Sequence, residues 1–242
     1  MRSLSASELL TVWESSLAAA PFERALALLS AGSPEVSPAT LARLSIGRRD
    51  DRLLQLREWA FGEDLSILVS CPSCRQTLEL VMPVQTLRAV DQAPEQEGSI
   101  TVEGYEVQFR APNTQDVAGC TGLSPDAAAR KMLACCVSDA RYDGTTVSQD
   151  ELPESVQQHV AEKIAALDPQ ADIRLQLACP DCRQRWDEVF DIVGFFWTEI
   201  DAWARRMLRE IDVLACAYGW RESDILALSP ARREIYLAMA QA

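Results

Sequence analysis

A single histidine, His159, stands in a chain of 242 residues, and that scarcity removes most catalytic arrangements at once. It offers no dyad. Asp50-Asp51 and Asp187-Glu188 lack a paired base or nucleophile, and no glycine-rich phosphate loop occurs, so no set of residues meets the role requirements of an enzyme. Basic clusters are also missing: the formal net charge is −13 and the pI is near 4.6, whereas DNA or RNA binding needs grouped Lys and Arg. Nucleic acid is therefore not the expected partner. No run approaches the roughly 20 apolar residues of a membrane span, and Met1-Arg2-Ser3-Leu4-Ser5 lacks the charged and apolar segments of a signal peptide. The expectation is a chain that stays in a reducing cytoplasm, where its eight cysteines remain thiols or thiolates.

Four of those cysteines form two nearly identical stretches, Cys71-Pro72-Ser73-Cys74-Arg75-Gln76 and Cys179-Pro180-Asp181-Cys182-Arg183-Gln184. Each is entered from an apolar run, Leu65 to Val69 or Ile173 to Leu177, and left through a second one, so both read as the tip of a β-hairpin. Two cysteines three apart in a tight turn can aim both sulfurs at one point, and Pro72 and Pro180 pre-set the backbone. One such turn is half of a tetrahedral thiolate site, and two supply the four ligands of structural zinc, at about 2.3 Å per Zn–S bond. Cys71, Cys74, Cys179 and Cys182 are thus expected to form one closed zinc-ribbon site holding one Zn²⁺ per chain. With every position filled by protein, such a metal is structural. Arg75, Arg183 and Arg185 lie near enough in sequence to screen the residual charge of about −2. The competing readings are redox C-x-x-C motifs or two disulfides; a redox motif belongs at a strand-to-helix junction, and here strands flank both turns. Cys120, Cys135, Cys136 and Cys216 sit among Ala, Leu, Met and Val and read as small buried hydrophobes.

A usual ribbon separates its cysteine pairs by about 15 to 20 residues, so the long interval here implies an insertion. The expected class is α+β, mostly helical: an N-terminal helical region over 1–62, a first knuckle hairpin over 63–90, an inserted β-hairpin and helical part over 91–172, a second knuckle over 173–191 and a C-terminal helical region over 192–242. Ser5 with Glu8 predicts a capping box, Pro21 opens a second helix, and Gly47 is expected to break a short helix through Leu41 and Leu44. Between Arg48 and Gly62 an amphipathic helix should carry an apolar stripe of Leu53, Leu56 and Trp59 to Ala60, with its charges on a solvated or partner-facing surface. Residues 91–99 read as an exposed acidic loop, Glu103-Gly104 and Asp143-Gly144 as turns, and residues 150–167 as a helix carrying a solvated His159. Over 192–218, Val193, Trp197, Ile200, Ala204, Met207, Ile211, Leu214 and Tyr218 form a heptad seam that packs on the chain's own helices or on a partner. Arg232 and Arg233 lie on a final helix opened by Ser229-Pro230.

Three blocks of this chain carry a resemblance. The first is Gly47-Arg48-Arg49-Asp50-x-Arg52-Leu53-Leu54-x-Leu56-Arg57, followed by Phe61-Gly62 and a C-P-x-C turn; the second is Phe109-Arg110-x-Pro112-Asn113-Thr114-x-Asp116. The third runs from Cys179-Pro180-x-Cys182 through Trp186, Phe190-Asp191 and Trp197-x-Glu199 to Ala217-Tyr218-Gly219-Trp220, Ile225-Leu226-x-Leu228 and Arg232-Arg233-x-x-Tyr236-Leu237. Together they resemble proteins of phage-tail-like contractile injection systems, similar to the baseplate hub and hub-assembly chaperone proteins of contractile-tailed phages. The resemblance implies a non-enzymatic role in building the baseplate, with baseplate or hub proteins as partners, in the cytoplasm or within the assembled particle. Arg75 and Arg183 depart from it, since glycine is expected after the second cysteine. The alternative expectation is a zinc-ribbon adaptor contacting transcription or translation machinery.

Overall fold

The structure is a computed structural model that describes residues 1–88 and 97–240. The chain divides into two compact units, Met1–Glu35 with Val193–Ala242, and Val36–Ile192. Helices dominate, and the strands form small antiparallel sheets, so the class is α+β.

The first unit opens with α1 (Ala6–Ser15). Its predicted capping box is present: the Glu8 amide donates to Ser5 Oγ, and the Ser5 amide donates to the Glu8 carboxylate. Pro21 supplies the first turn of α2 (Pro21–Gly32), where the missing amide costs nothing.

The second unit begins with α3 (Pro38–Ala42) and α4 (Ile46–Phe61), then the hairpin β1 (Asp64–Ser70) and β2 (Thr77–Pro83) and a 3-10 turn over Val84–Leu87. The expected acidic loop at 91–96 lies outside the described residues, while Gly98 and Ser99 belong to β3 (Glu97–Val102). β4 (Tyr105–Arg110), α5 (Thr114–Gly119), α6 (Pro125–Cys136), β5 (Val137–Tyr142), β6 (Thr145–Thr146) and α7 (Glu154–Leu167) follow. The unit ends with a 3-10 turn over Pro169–Ala171 and the hairpin β7 (Arg174–Ala178) and β8 (Arg185–Val189). Both predicted turns, Glu103-Gly104 and Asp143-Gly144, carry the positive φ that tight hairpins demand. The hairpin expected around Glu103 is half of a four-stranded sheet in the order β3-β4-β5-β6. Val107, Phe109, Val137 and Ala140 from that sheet meet Val156, Val160 and Ile164 of α7 in a buried core.

The chain returns to the first unit through α8 (Ile192–Tyr218), α9 (Glu222–Leu226) and α10 (Pro230–Ala240). The seam of α8 is buried at Val193, Trp197, Ile200, Ala204, Met207, Ile211 and Leu214. Its partners come from the chain itself. Trp13 Nε1 of α1 donates to Asp201 at 2.9 Å, and the Arg24 guanidinium of α2 lies 4.4 Å from the ring centre of Trp197. Arg233 of α10 is buried and paired to Glu210 of α8 at 2.8 Å, whereas Arg232 stays exposed.

Two expectations for α4 are corrected. Gly47 does not break a helix; it sits inside the first turn of α4, buried against Asp168 and Gln170. The charged stretch is not simply a solvated face either, since Arg49, Asp50 and Arg57 are buried while Trp59 is exposed. A packed helix start, and not the apolar stripe alone, decides which face of α4 turns inward.

Candidate metal centre

The two cysteine pairs occupy equivalent places in two equivalent hairpins. β1 and β2 pair without interruption from Asp64↔Pro83 to Ser70↔Thr77, and β7 and β8 from Arg174↔Val189 to Ala178↔Arg185. At each tip the first cysteine amide donates to a glutamine carbonyl, Cys71 to Gln76 and Cys179 to Gln184, both at 2.9 Å. The residue after the second cysteine donates back, Arg75 to Cys71 O at 2.9 Å and Arg183 to Cys179 O at 3.0 Å. Past those amides the chain reverses so that the glutamine carbonyl reaches back to the first cysteine, and Arg75 and Arg183 make that reversal in the left-handed region, with φ of 62° and 61°. The two tips are therefore one local structure written twice, with arginine where a glycine would be relaxed.

The fold brings all four sulfurs together. Cys71 Sγ lies 3.6 Å from Cys182 Sγ, and Cys74 Sγ lies 3.6 Å from Cys179 Sγ, so the sulfurs of one hairpin meet those of the other. All four ligand atoms fall within 4.8 Å of one another. A disulfide needs about 2.05 Å. A tetrahedron of sulfurs around an ion at about 2.3 Å has edges near 3.8 Å, and the observed spacing fits that figure. The first cysteine of each pair is buried and the second is exposed, as expected of a site at the end of two hairpins.

Electrostatics point the same way. The amides of Cys74 and Ser73, aided by neighbouring thiols and opposed by desolvation, draw the Cys71 thiol down to about 7. At Cys74 the Gln76 amide acts in the same sense, but desolvation and the sulfurs of Cys179, Cys182 and Cys71 outweigh it and push that thiol up to about 12. Four thiolates this close repel one another unless a cation sits between them. The donor set thus fits a metal ion with a preference for thiolate and tetrahedral geometry.

The remaining cysteines play no part in this cluster. Cys136 is buried in the core of the second unit, and desolvation, with Asp116 nearby, pushes its thiol up to about 12. Cys120 and Cys135 are half-buried. Cys216 corrects the expectation of a buried hydrophobe: it is exposed on α8. His159 is exposed on α7, its Nδ1 2.7 Å from the Ser155 carbonyl.

Sequence reasoning missed a polar junction at the start of α4. The Ile46 amide donates to Pro112 O at 3.0 Å and the Gly47 amide to Asp168 Oδ2 at 2.7 Å. Just beyond, Asn113 caps α5, and Arg110 grips Asp116 with two bonds of 2.7 and 2.9 Å while also donating to Cys135 O. Burial works against the Asp116 carboxylate, yet the Arg110 guanidinium and the Asn113 amide hold it below the usual range. The first two resemblance blocks therefore meet in space at this junction.

A family model described as T4 bacteriophage base plate protein matches residues 31–197. The chain belongs to this family. The base plate match takes in the whole of the unit Val36–Ile192, with both C-P-x-C turns and the α4 junction, and stops short of the blocks from Ala217 to Leu237. No curated protein and no solved structure matches the chain. Among the described residues no helix is long and apolar enough to cross a membrane.

Proposed function

We propose that this base plate family member is a non-enzymatic structural protein or assembly chaperone of a phage-tail-like contractile injection particle, engaging baseplate or hub proteins. Its fold is held by one zinc ion on Cys71, Cys74, Cys179 and Cys182. The observation that carries the reading is the base plate match over a unit whose two distant hairpins are joined at their tips by four sulfurs. The metal would lock β1–β2 to β7–β8 across 111 residues of chain, as the separation of Cys71 and Cys182 requires. Closing so long a loop is where a clip contributes most.

Two measurements test this. Metal analysis of the purified chain should find one zinc per chain, and iron in its place would change the ion while leaving the site intact. Quantitative mass spectrometry of assembled particles against the soluble fraction of the producing cell should then find the chain at a fixed ratio to the baseplate proteins, which makes it a component. Its absence from particles that still require the gene makes it a chaperone. Contractile particles at normal yield from cells lacking the gene would refute both forms.

A further inference from the structure

β7 and β8 form a two-stranded sheet, and among the described residues no strand lies beside the other edge of β7. The two ends of the hairpin fix which backbone groups face that edge. Phe190 N–H donates to Ile173 O at 2.8 Å, and Cys179 N–H donates to Gln184 O at 2.9 Å. With unbroken register between them, Ile173, Leu175 and Leu177 bond to β8, and the amides and carbonyls of Arg174, Gln176 and Ala178 turn to the open edge. Among the described residues nothing donates to or accepts from those six backbone groups.

The edge borders a groove of about 460 Å³. One wall is the consecutive run Ile173 to Leu177, whose side chains alternate in direction, so the groove follows the strand's edge and not one of its faces. Met82, Thr86, Leu87 and Arg88 form the opposite wall. That wall is fixed: Gln170 Nε2 donates to Leu87 O at 2.8 Å, and Asp51 accepts from Arg88 at 2.7 and 3.1 Å. Unpaired donors and acceptors repeating every second residue recognise an extended main chain. Met82 and Leu87 offer apolar contact. Arg88 and Arg174, the charged residues lining the groove, are already paired with Asp51 and Asp172, so recognition falls to the strand edge and the apolar wall.

From this geometry we infer that the β7 edge is a strand-addition site for an extended segment of another baseplate subunit, bearing apolar side chains at alternate positions. The identity of the partner rests on the baseplate reading; the edge itself does not.

The test titrates the ¹⁵N-labelled, metal-loaded full chain with overlapping twelve-residue peptides that cover the other baseplate subunits made alongside it. A peptide should protect the amides of Arg174, Gln176 and Ala178 from exchange and add little at Leu175 and Leu177, already bonded to β8. Gln176→Pro removes an amide that points away from β8, so melting and metal content should hold while binding weakens by about tenfold or more. Gln176→Ala keeps the amide and should bind like the unaltered chain. The protection pattern in the unaltered chain decides the matter even where Gln176→Pro folds poorly. The proposal is overturned if no peptide protects the edge, or if Gln176→Pro binds as well as the unaltered chain. A concentration-dependent dimer abolished by Gln176→Pro would also overturn it, since a second copy would then hold the edge. Particles that need the gene while no peptide binds would sink this inference alone; normal particles without the gene would sink the baseplate reading.

Discussion

The Gly47 amide donates to Asp168 Oδ2 at 2.7 Å, and a Cβ placed on Gly47 would stand 2.0 Å from Asp168 Oδ1 and 2.8 Å from Gln170 Cβ. The carboxylate sits at the N-terminus of α4, where free amides and the helix dipole favour negative charge. Only a residue without a side chain lets Asp168, at the end of α7, approach so closely. This bond ties the first and last thirds of the second unit.

Gly47→Ala should therefore be among the most damaging single-methyl changes in the chain. Backbone or Asp168 must move to admit the methyl, and the expected loss is about 3 kcal/mol from overpacking and a disturbed charged hydrogen bond. Urea unfolding measures it; a midpoint unchanged from the unaltered chain would show that the junction yields freely.

Asp50 sets a pH dependence. Desolvation, opposed by Arg49 and reinforced by Asp191 and Asp168, pushes its carboxyl up to about 6. Between about pH 4 and pH 6 the folded chain keeps a proton that the unfolded chain has released, so the stability from this group falls as pH rises and stays lost above that window. Asp50→Asn cannot ionise and escapes the loss. Its stability relative to the unaltered chain should improve by about 2 to 3 kcal/mol between pH 4 and pH 7. Denaturant curves at the two pH values decide, and an equal difference at both would contradict the assignment.

Arg75 and Arg183 hold left-handed backbones at φ of 62° and 61° without the freedom of glycine. Arg75→Gly and Arg183→Gly should each raise stability by about 1 kcal/mol. Zinc content should stay at its original level. A lowered melting temperature would show instead that the guanidinium groups stabilise the thiolate cluster, which is what their nearness in sequence suggested.

For the metal itself, the equivalence of the two tips makes a matched prediction. Cys71→Ser and Cys179→Ser should each lose the ion and melt far lower, since zinc binding contributes on the order of 10 kcal/mol in small zinc domains and is coupled to folding. Cys74→Ser and Cys182→Ser, although exposed, should do the same. A chelator should expose the amides of both hairpins together. Retained metal in any one of the four variants would break the shared-site reading.

Local signals determined a good part of this protein from the sequence. The capping box at Ser5, Pro21, Glu103-Gly104, the seam of α8 and both C-P-x-C hairpins act within a few residues, where backbone preference and hydrophobic period suffice. The C-P-x-C repeat also announced that Cys71, Cys74, Cys179 and Cys182 belong together, because two half-sites of one chemistry ask for a common ion. Tertiary structure alone decided the rest. Gly47 reads as a helix breaker until Asp168 is beside it, and Asp50 and Arg49 read as solvated charge until they are buried as a pair 2.7 Å apart. β5 joins β4 in a sheet the local pattern did not announce, and which edge of β7 stays open follows from register and from the wall set opposite it. The physical reason is common to all of these: close approach, desolvation and strand pairing are set by residues many tens of positions away, even where, as for Arg49 and Asp50, the paired groups are neighbours in sequence.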